Sequence, residues 1–106
     1  MIKVTIKTKK DKIVLISVEG HANFADFGKD IVCAGVSAVI IGGINAFEKE
    51  TINKQVYCHV DENIAKIKVE DYDSKYLQEK LAVIVKQLAS IEDAYPKNVK
   101  IKKEEI

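Results

Sequence analysis

The chain predicts an α+β fold, in the order ββαββαβ, with a mixed or antiparallel sheet of about five strands and two helices packed on it. Three observations carry this. Short segments alternate apolar and polar residues at the period of a half-buried strand, in two pairs joined by polar turns. Two longer segments carry no such alternation and read as helices, one after each pair. A last alternating segment closes the order, and hairpins interleaved with helices form a sheet with helices laid on it. At 106 residues and 47% hydrophobic composition, the chain is expected to fold as a single domain over residues 1–106 around one core.

Ile2, Val4 and Ile6 alternate with Lys3, Thr5 and Lys7 in the first strand. Lys9 to Lys12 is a polar turn, and Ile13 to Val18 forms the second strand, with Val14, Ile16 and Val18 on one face. Gly20 ends it, and a loop runs from His21 to Lys29. Asp30 can cap the first helix, because its carboxylate accepts from free N–H groups of the first turn. That helix is expected from Ile31 to about Glu50 and is apolar nearly all round, so it needs cover on most sides. Gln55 to Val60 reads as a strand with Val56, Cys58 and Val60 on one face. Asp61, Glu62 and Asn63 turn the chain, and Ala65, Ile67 and Val69 return it. Asp73 or Ser74 caps a second helix, whose stripe is Leu77, Leu81, Ile84, Val85, Leu88 and Ile91. Pro96 closes it, and Val99 and Ile101 mark a short last strand.

Composition removes several function classes. A net charge of +1 argues against a nucleic-acid binder built on basic excess. All seventeen basic residues are Lys, so no guanidinium fork is available for a carboxylate or phosphate. Two cysteines and a start, MIKVTIK, without the apolar block of a signal peptide point to a reducing, cytoplasmic setting. The uncharged run from Ile31 to Phe47 contains Gly42, Gly43, Ser37 and Asn45 and reads as a buried helix, not a membrane span. Cys58 and His59 are neighbours on a predicted strand and point to opposite faces, and no CxxC or HxxxH spacing exists, so no metal site is expected.

The segment EGHANFADFGKDIVCAGVSA, Glu19 to Ala38, stands apart. With Asp30 as cap, Cys33 lies in the first turn of a long helix, where free N–H groups and the positive dipole end favour thiolate over thiol. The same N–H groups can stabilise an oxyanion. His21 sits on a loop able to return over the helix start and bring an imidazole to the sulfur. A Cys/His pair performs acyl transfer, the imidazole taking the thiol proton and returning it to the leaving amine. Asp30 or Asp26 can orient the base. Each residue also has a structural reading: Cys33 as a small core residue, His21 as a loop residue bonding backbone, Asp30 as a cap alone, Ser37 as a small packing residue.

The residues Gly20-His21-Ala22, then Asp30 to Ala34, then Val36 to Ala38 resemble the signature of the ribosomal-processing cysteine protease family, Prp. The likeness extends through VSAVIIGGINAFE and the ββαββαβ order to nearly the whole chain. It implies a cytoplasmic, homodimeric cysteine endopeptidase that removes the N-terminal extension of large-subunit ribosomal protein number twenty-seven during ribosome assembly. It matches Cys33 to the nucleophile, His21 to the base and Asp30 to a capping or orienting residue. It makes Gly20, Asn23, Phe24, Phe27 and Ser37 substrate-loop candidates, with Phe24 and Phe27 equally readable as loop anchors in the core. Neither metal nor organic cofactor is implied, nor membrane or direct nucleic-acid contact. Two positions depart from the family pattern: Asn23 stands where Gly is frequent, and Gly35 where Ala is frequent. Asn tolerates left-handed backbone better than most residues. The alternative is a non-catalytic ribosome-associated module binding RNA or protein, with Lys97, Lys100, Lys102 and Lys103 as its contacts.

Overall fold

The computed structural model describes residues 1–26 and 28–106. Strands β1 (Ile2–Lys9) and β2 (Lys12–Glu19) form the first hairpin. Its turn residues Lys10 and Asp11 have φ of 52° and 65°, the left-handed pair that a two-residue hairpin turn requires. Helices α1 (Ile31–Ala46) and α2 (Glu48–Ile52) follow, then β3 (Val56–Val60), β4 (Ile64–Val69), α3 (Lys75–Ala94) and β5 (Val99–Glu105). The sheet order is β3-β4-β2-β1-β5. Its neighbours are antiparallel except β1 and β5, which are parallel, so the sheet is mixed. The predicted α+β architecture is the one observed.

The cross-strand register lines one face of the sheet with apolar side chains. Ile6 pairs with Ile16, which pairs with Ile67, and all three are buried to within 1% exposure. Helices α1 and α3 cover this face and pack on each other, with Val36, Ile40, Leu77, Leu81 and Leu88 buried in the shared core. Each such side chain, once buried, contributes about 1.5–3 kcal/mol of transfer free energy. Ser74 is the cap of α3, its Oγ accepting from the Leu77 N–H at 3.2 Å. The opposite sheet face carries Lys3, Lys66, Lys68 and Lys100.

Two expectations are corrected. Val14 does not share the core face with Ile16 and Val18. A β-bulge intervenes: Lys7 pairs with Leu15 but Thr8 pairs with Ile13, which leaves Val14 unpaired and turns Ile13 to the core instead. The first helix does not run unbroken to Glu50. At Phe47 the turn tightens, the N–H bonding the Ile44 carbonyl three residues back, before α2 resumes the path. Val36, Ile40, Gly43, Phe47 and Glu50 stay on one buried stripe through the break. Phe47 is fully buried, with the Lys80 ammonium 5.4 Å from its ring centroid.

Candidate active site

Gly20 takes φ +92° where β2 ends. A Cβ there would lie 2.5 Å from the Met1 carbonyl oxygen, so only glycine lets the chain leave the sheet at this point. His21 follows and is exposed, and Ala22 behind it is buried. Asn23 adopts φ 55°, the left-handed conformation that asparagine accommodates.

Asp30 joins this loop to the helix. Its Oδ1 accepts from the Val32 and Cys33 N–H groups, both at 3.0 Å, and caps α1. Its Oδ2 accepts from the Phe24 N–H at 3.0 Å and the Ala25 N–H at 3.4 Å. Burial pushes the Asp30 carboxyl up, but the N–H donors of Cys33, Phe24 and Ala25 outweigh it and hold it below the usual carboxylate value. One sequence expectation falls here. The N–H groups of Val32, Cys33 and Ala34 are not free for an oxyanion, because Asp30 Oδ1 occupies the first two and the Asp30 carbonyl accepts the third at 3.0 Å.

Cys33 is half-buried in that first turn. The Ala22 N–H donates to its Sγ at 3.2 Å. The sulfur faces a groove of about 600 Å³ between the start of α1, the end of β2 and the β3–β4 turn. Gly20, His21, Asn23, Asp30, Cys33 and Ser37 all line this groove, so the structure brings together six of the sequence-predicted residues. Phe24 is not among the lining residues; its ring meets Tyr95 edge-on at 5.3 Å between centroids, which anchors the loop. Phe27 lies outside the described residues. Among the described residues no hydrogen bond joins His21 to Cys33 or to Asp30.

The groove floor is apolar, with Val18, Val36, Ile40 and Ala65. Its walls hold the carboxylates of Glu19, Asp30, Asp61 and Glu62. Among the described residues no lysine lines it, in a chain that has seventeen. Asp61 fixes the β3–β4 turn at the far end: its Oδ2 lies 2.9 Å from His59 Nε2, and its Oδ1 accepts from the Asn63 and Ile64 N–H groups. The His59 contact and those donors hold the Asp61 carboxyl down to about 2. Cys58 stands apart from the groove, with Thr51 Oγ1 3.9 Å from its sulfur, and burial pushes its thiol up. Among the described residues no three His, Cys, Asp or Glu side chains come together in a metal-binding group. No described helix is long and apolar enough to cross a membrane.

Sequence reasoning missed two contributors. The Ala22 N–H belongs to backbone, which no residue-type search detects. Asn98 bonds the Ala22 carbonyl from 76 positions away, and no local pattern marks it.

The two ties of Asp30 predict separable effects. Asp30→Ala removes the cap and the loop tie and is expected to lower the melting temperature by roughly 5–10 °C. Asp30→Asn keeps a capping oxygen but sets an NH2 group against the Phe24 and Ala25 N–H donors, so at neutral pH it should melt between Asp30→Ala and wild type. Because the folded Asp30 value is depressed, its charge contributes stability above the ordinary value of 3.8, and that contribution is lost as pH falls through the lowered value. Asp30→Asn should therefore lose less stability than wild type on acidification. Acid melts with an identical slope for both proteins would contradict this.

The sequence model of the family described as cysteine protease Prp matches residues 1–100. The chain is 36% identical over 108 residues to the ribosomal processing cysteine protease Prp of Mycoplasma genitalium, covering 98% of this chain and 97% of that one. It is 53% identical to the Bacillus subtilis protein of the same name over 47 residues, 43% of this chain and 42% of that one. Its fold is similar to the crystal structure of an essential ribosomal processing protease Prp from S. aureus in complex with a covalently linked product peptide. That match has a TM-score of 0.87 and 29% identity, and covers 98% of this chain and 100% of that one. A whole-length match of sequence and fold, on a chain whose lone groove cysteine already sits at a capped helix start, makes this protein a member of the cysteine protease Prp family and a cysteine protease.

Proposed function

We propose that this chain, as one domain over residues 1–106, is a ribosomal-processing endopeptidase. It removes the N-terminal extension of a ribosomal protein precursor, that of large-subunit protein number twenty-seven, with Cys33 as nucleophile and His21 as base. The observation that carries this reading is the half-buried Cys33 sulfur at the groove, with the Ala22 N–H on it at 3.2 Å and His21 on the rim of the same groove. The imidazole takes the thiol proton as Sγ attacks the scissile carbonyl. It returns that proton to the departing amine, leaving a thioester that water then hydrolyses. No cofactor enters this balance. His21 is exposed and reaches the sulfur once peptide fills the groove, since such contacts tighten in the substrate complex. Two crystal structures of the S. aureus relative, with substrate peptide and with product peptide, support a peptide as occupant. The apolar floor suits an aromatic side chain, and the carboxylate walls suit a peptide that also carries lysine.

The reading includes a cytoplasmic homodimer. Helix α1 exposes an uncharged face of Ile31, Ala34, Ala38, Gly42 and Asn45, which suits a second copy of the chain. A non-catalytic binding role would use the far sheet face, where Lys100 and Lys102 lie with Lys3, Lys66 and Lys68; it leaves the groove and Cys33 without a part, and the groove's carboxylates repel RNA.

The experiment is incubation of the purified protein with the extended precursor, followed by mass spectrometry. Loss of the extension, by a species sedimenting at twice 11.8 kDa, is expected. An intact precursor contradicts the proposed substrate, and a monomer at micromolar concentration contradicts the dimer.

A further inference from the structure

We infer that Asn98 is a positioning residue for the nucleophile, acting through the two peptide units of Ala22. The inference rests on Cys33 being that nucleophile. Ala22 is held on both sides. Its N–H donates to Cys33 Sγ at 3.2 Å, and its carbonyl accepts from Asn98 Nδ2 at 2.9 Å. The Asn98 side chain must present its amide nitrogen here, because a carbonyl only accepts.

The Ala22 side chain is buried in the core, but a packed methyl group does not set the direction of the peptides on either side of it. Gly20 on one side and Asn23 on the other both occupy left-handed backbone, with φ of 92° and 55°. Asp30 ties the loop only from Phe24 onward. Between those points the Asn98 amide is the side-chain hydrogen bond that anchors the Ala22 carbonyl. If it is removed, the peptide between Ala22 and Asn23 is free to rotate, and the shift at Ala22 carries its N–H away from the sulfur. That N–H stabilises negative charge on Sγ, as any donor aimed at an anion does. The same shift displaces His21, the residue immediately before Ala22. One side chain therefore controls both partners of the dyad without touching substrate.

The backbone of Asn98 is fixed independently of its side chain. Its N–H bonds the Tyr95 carbonyl at 3.0 Å, and its carbonyl accepts the Ile2 N–H at 2.8 Å. Substitutions that alter only the amide should therefore fold. Asn98→Asp keeps the shape and sets a carboxylate against the Ala22 carbonyl; Asn98→Ala removes the contact.

The test measures peptide cleavage, the rate of Cys33 alkylation by iodoacetamide at pH 7, and thermal melting, for wild type, both Asn98 variants and Cys33→Ala. Asn98→Ala is expected to melt near wild type, and Asn98→Asp a few degrees lower, because its carboxylate faces a carbonyl. The kcat of both should fall by roughly 10- to 100-fold with KM little changed, the cost of a small misplacement of reacting groups. Alkylation should slow with it, which a merely structural role does not produce. If Asn98→Ala melts low, the isosteric Asn98→Asp decides, assayed below its melting range. Cleavage and alkylation by Asn98→Asp at wild-type rates overturn the inference, as does a loss confined to KM. If Cys33→Ala still cleaves, the nucleophile assignment itself has failed; if it is inactive while Asn98→Asp is not, only the role of Asn98 falls.

Discussion

Cys33→Ala is expected to lose cleavage by a factor on the order of 10⁴ or more, with the fold intact. The fold should survive because the cap uses the Cys33 backbone N–H, not its side chain, and alanine preserves a small apolar volume at a half-buried position. What disappears is the one sulfur that lines the groove among the described residues. Mass spectrometry of a peptide substrate reads the rate, and a thermal melt reads the fold. The other cysteine is the control. Cys58 lies outside the groove, beside Thr51, so Cys58→Ser should cleave normally. Appreciable turnover by Cys33→Ala would remove it from the chemistry.

His21→Ala should lower kcat by roughly 10²–10⁴-fold, the range for an acid/base group, with peptide binding largely kept. The histidine is exposed and makes no hydrogen bond to Cys33 or Asp30 among the described residues, so its removal leaves both the cap and the Ala22–Cys33 contact in place. A melt like that of wild type is expected. A His21→Ala variant with unchanged kcat would transfer the base to another group; one that only raises KM would make His21 a binding residue.

The strands were legible because a half-buried strand writes its period into sequence, and Ile2, Val4 and Ile6 do so without interruption. The bulge at Val14 was not, because Ile13, Val14 and Leu15 are all apolar and alternation cannot say which one is skipped. The break at Phe47 was hidden for a related reason: Gly43, Phe47 and Glu50 keep the helical spacing across it. The strand order was beyond reach, since pairing β1 with β5 depends on contacts at opposite ends of the chain.

The candidate site was legible where it is local. Asp30 and Cys33 are three residues apart, so cap and sulfur can be placed by helix geometry alone. The resemblance to Prp supplied the pairing of His21 with Cys33, which spacing alone left undecided. The competition for the first-turn N–H groups was not foreseen, because a capping carboxylate consumes the donors that an oxyanion would need. Nor was Asn98: its bond to Ala22 depends on where β5 begins in the folded sheet.

The central claim is that Cys33 carries the reaction. Its most direct test is alkylation of the wild-type protein by iodoacetamide, with peptide mapping of each cysteine at successive times and cleavage assayed on the same samples. The account predicts that residual activity falls in step with modification of Cys33, that a saturating peptide substrate slows both together, and that Cys58 reacts independently of either. Full modification of Cys33 in a protein that still cleaves, or inactivation that follows Cys58, would contradict it.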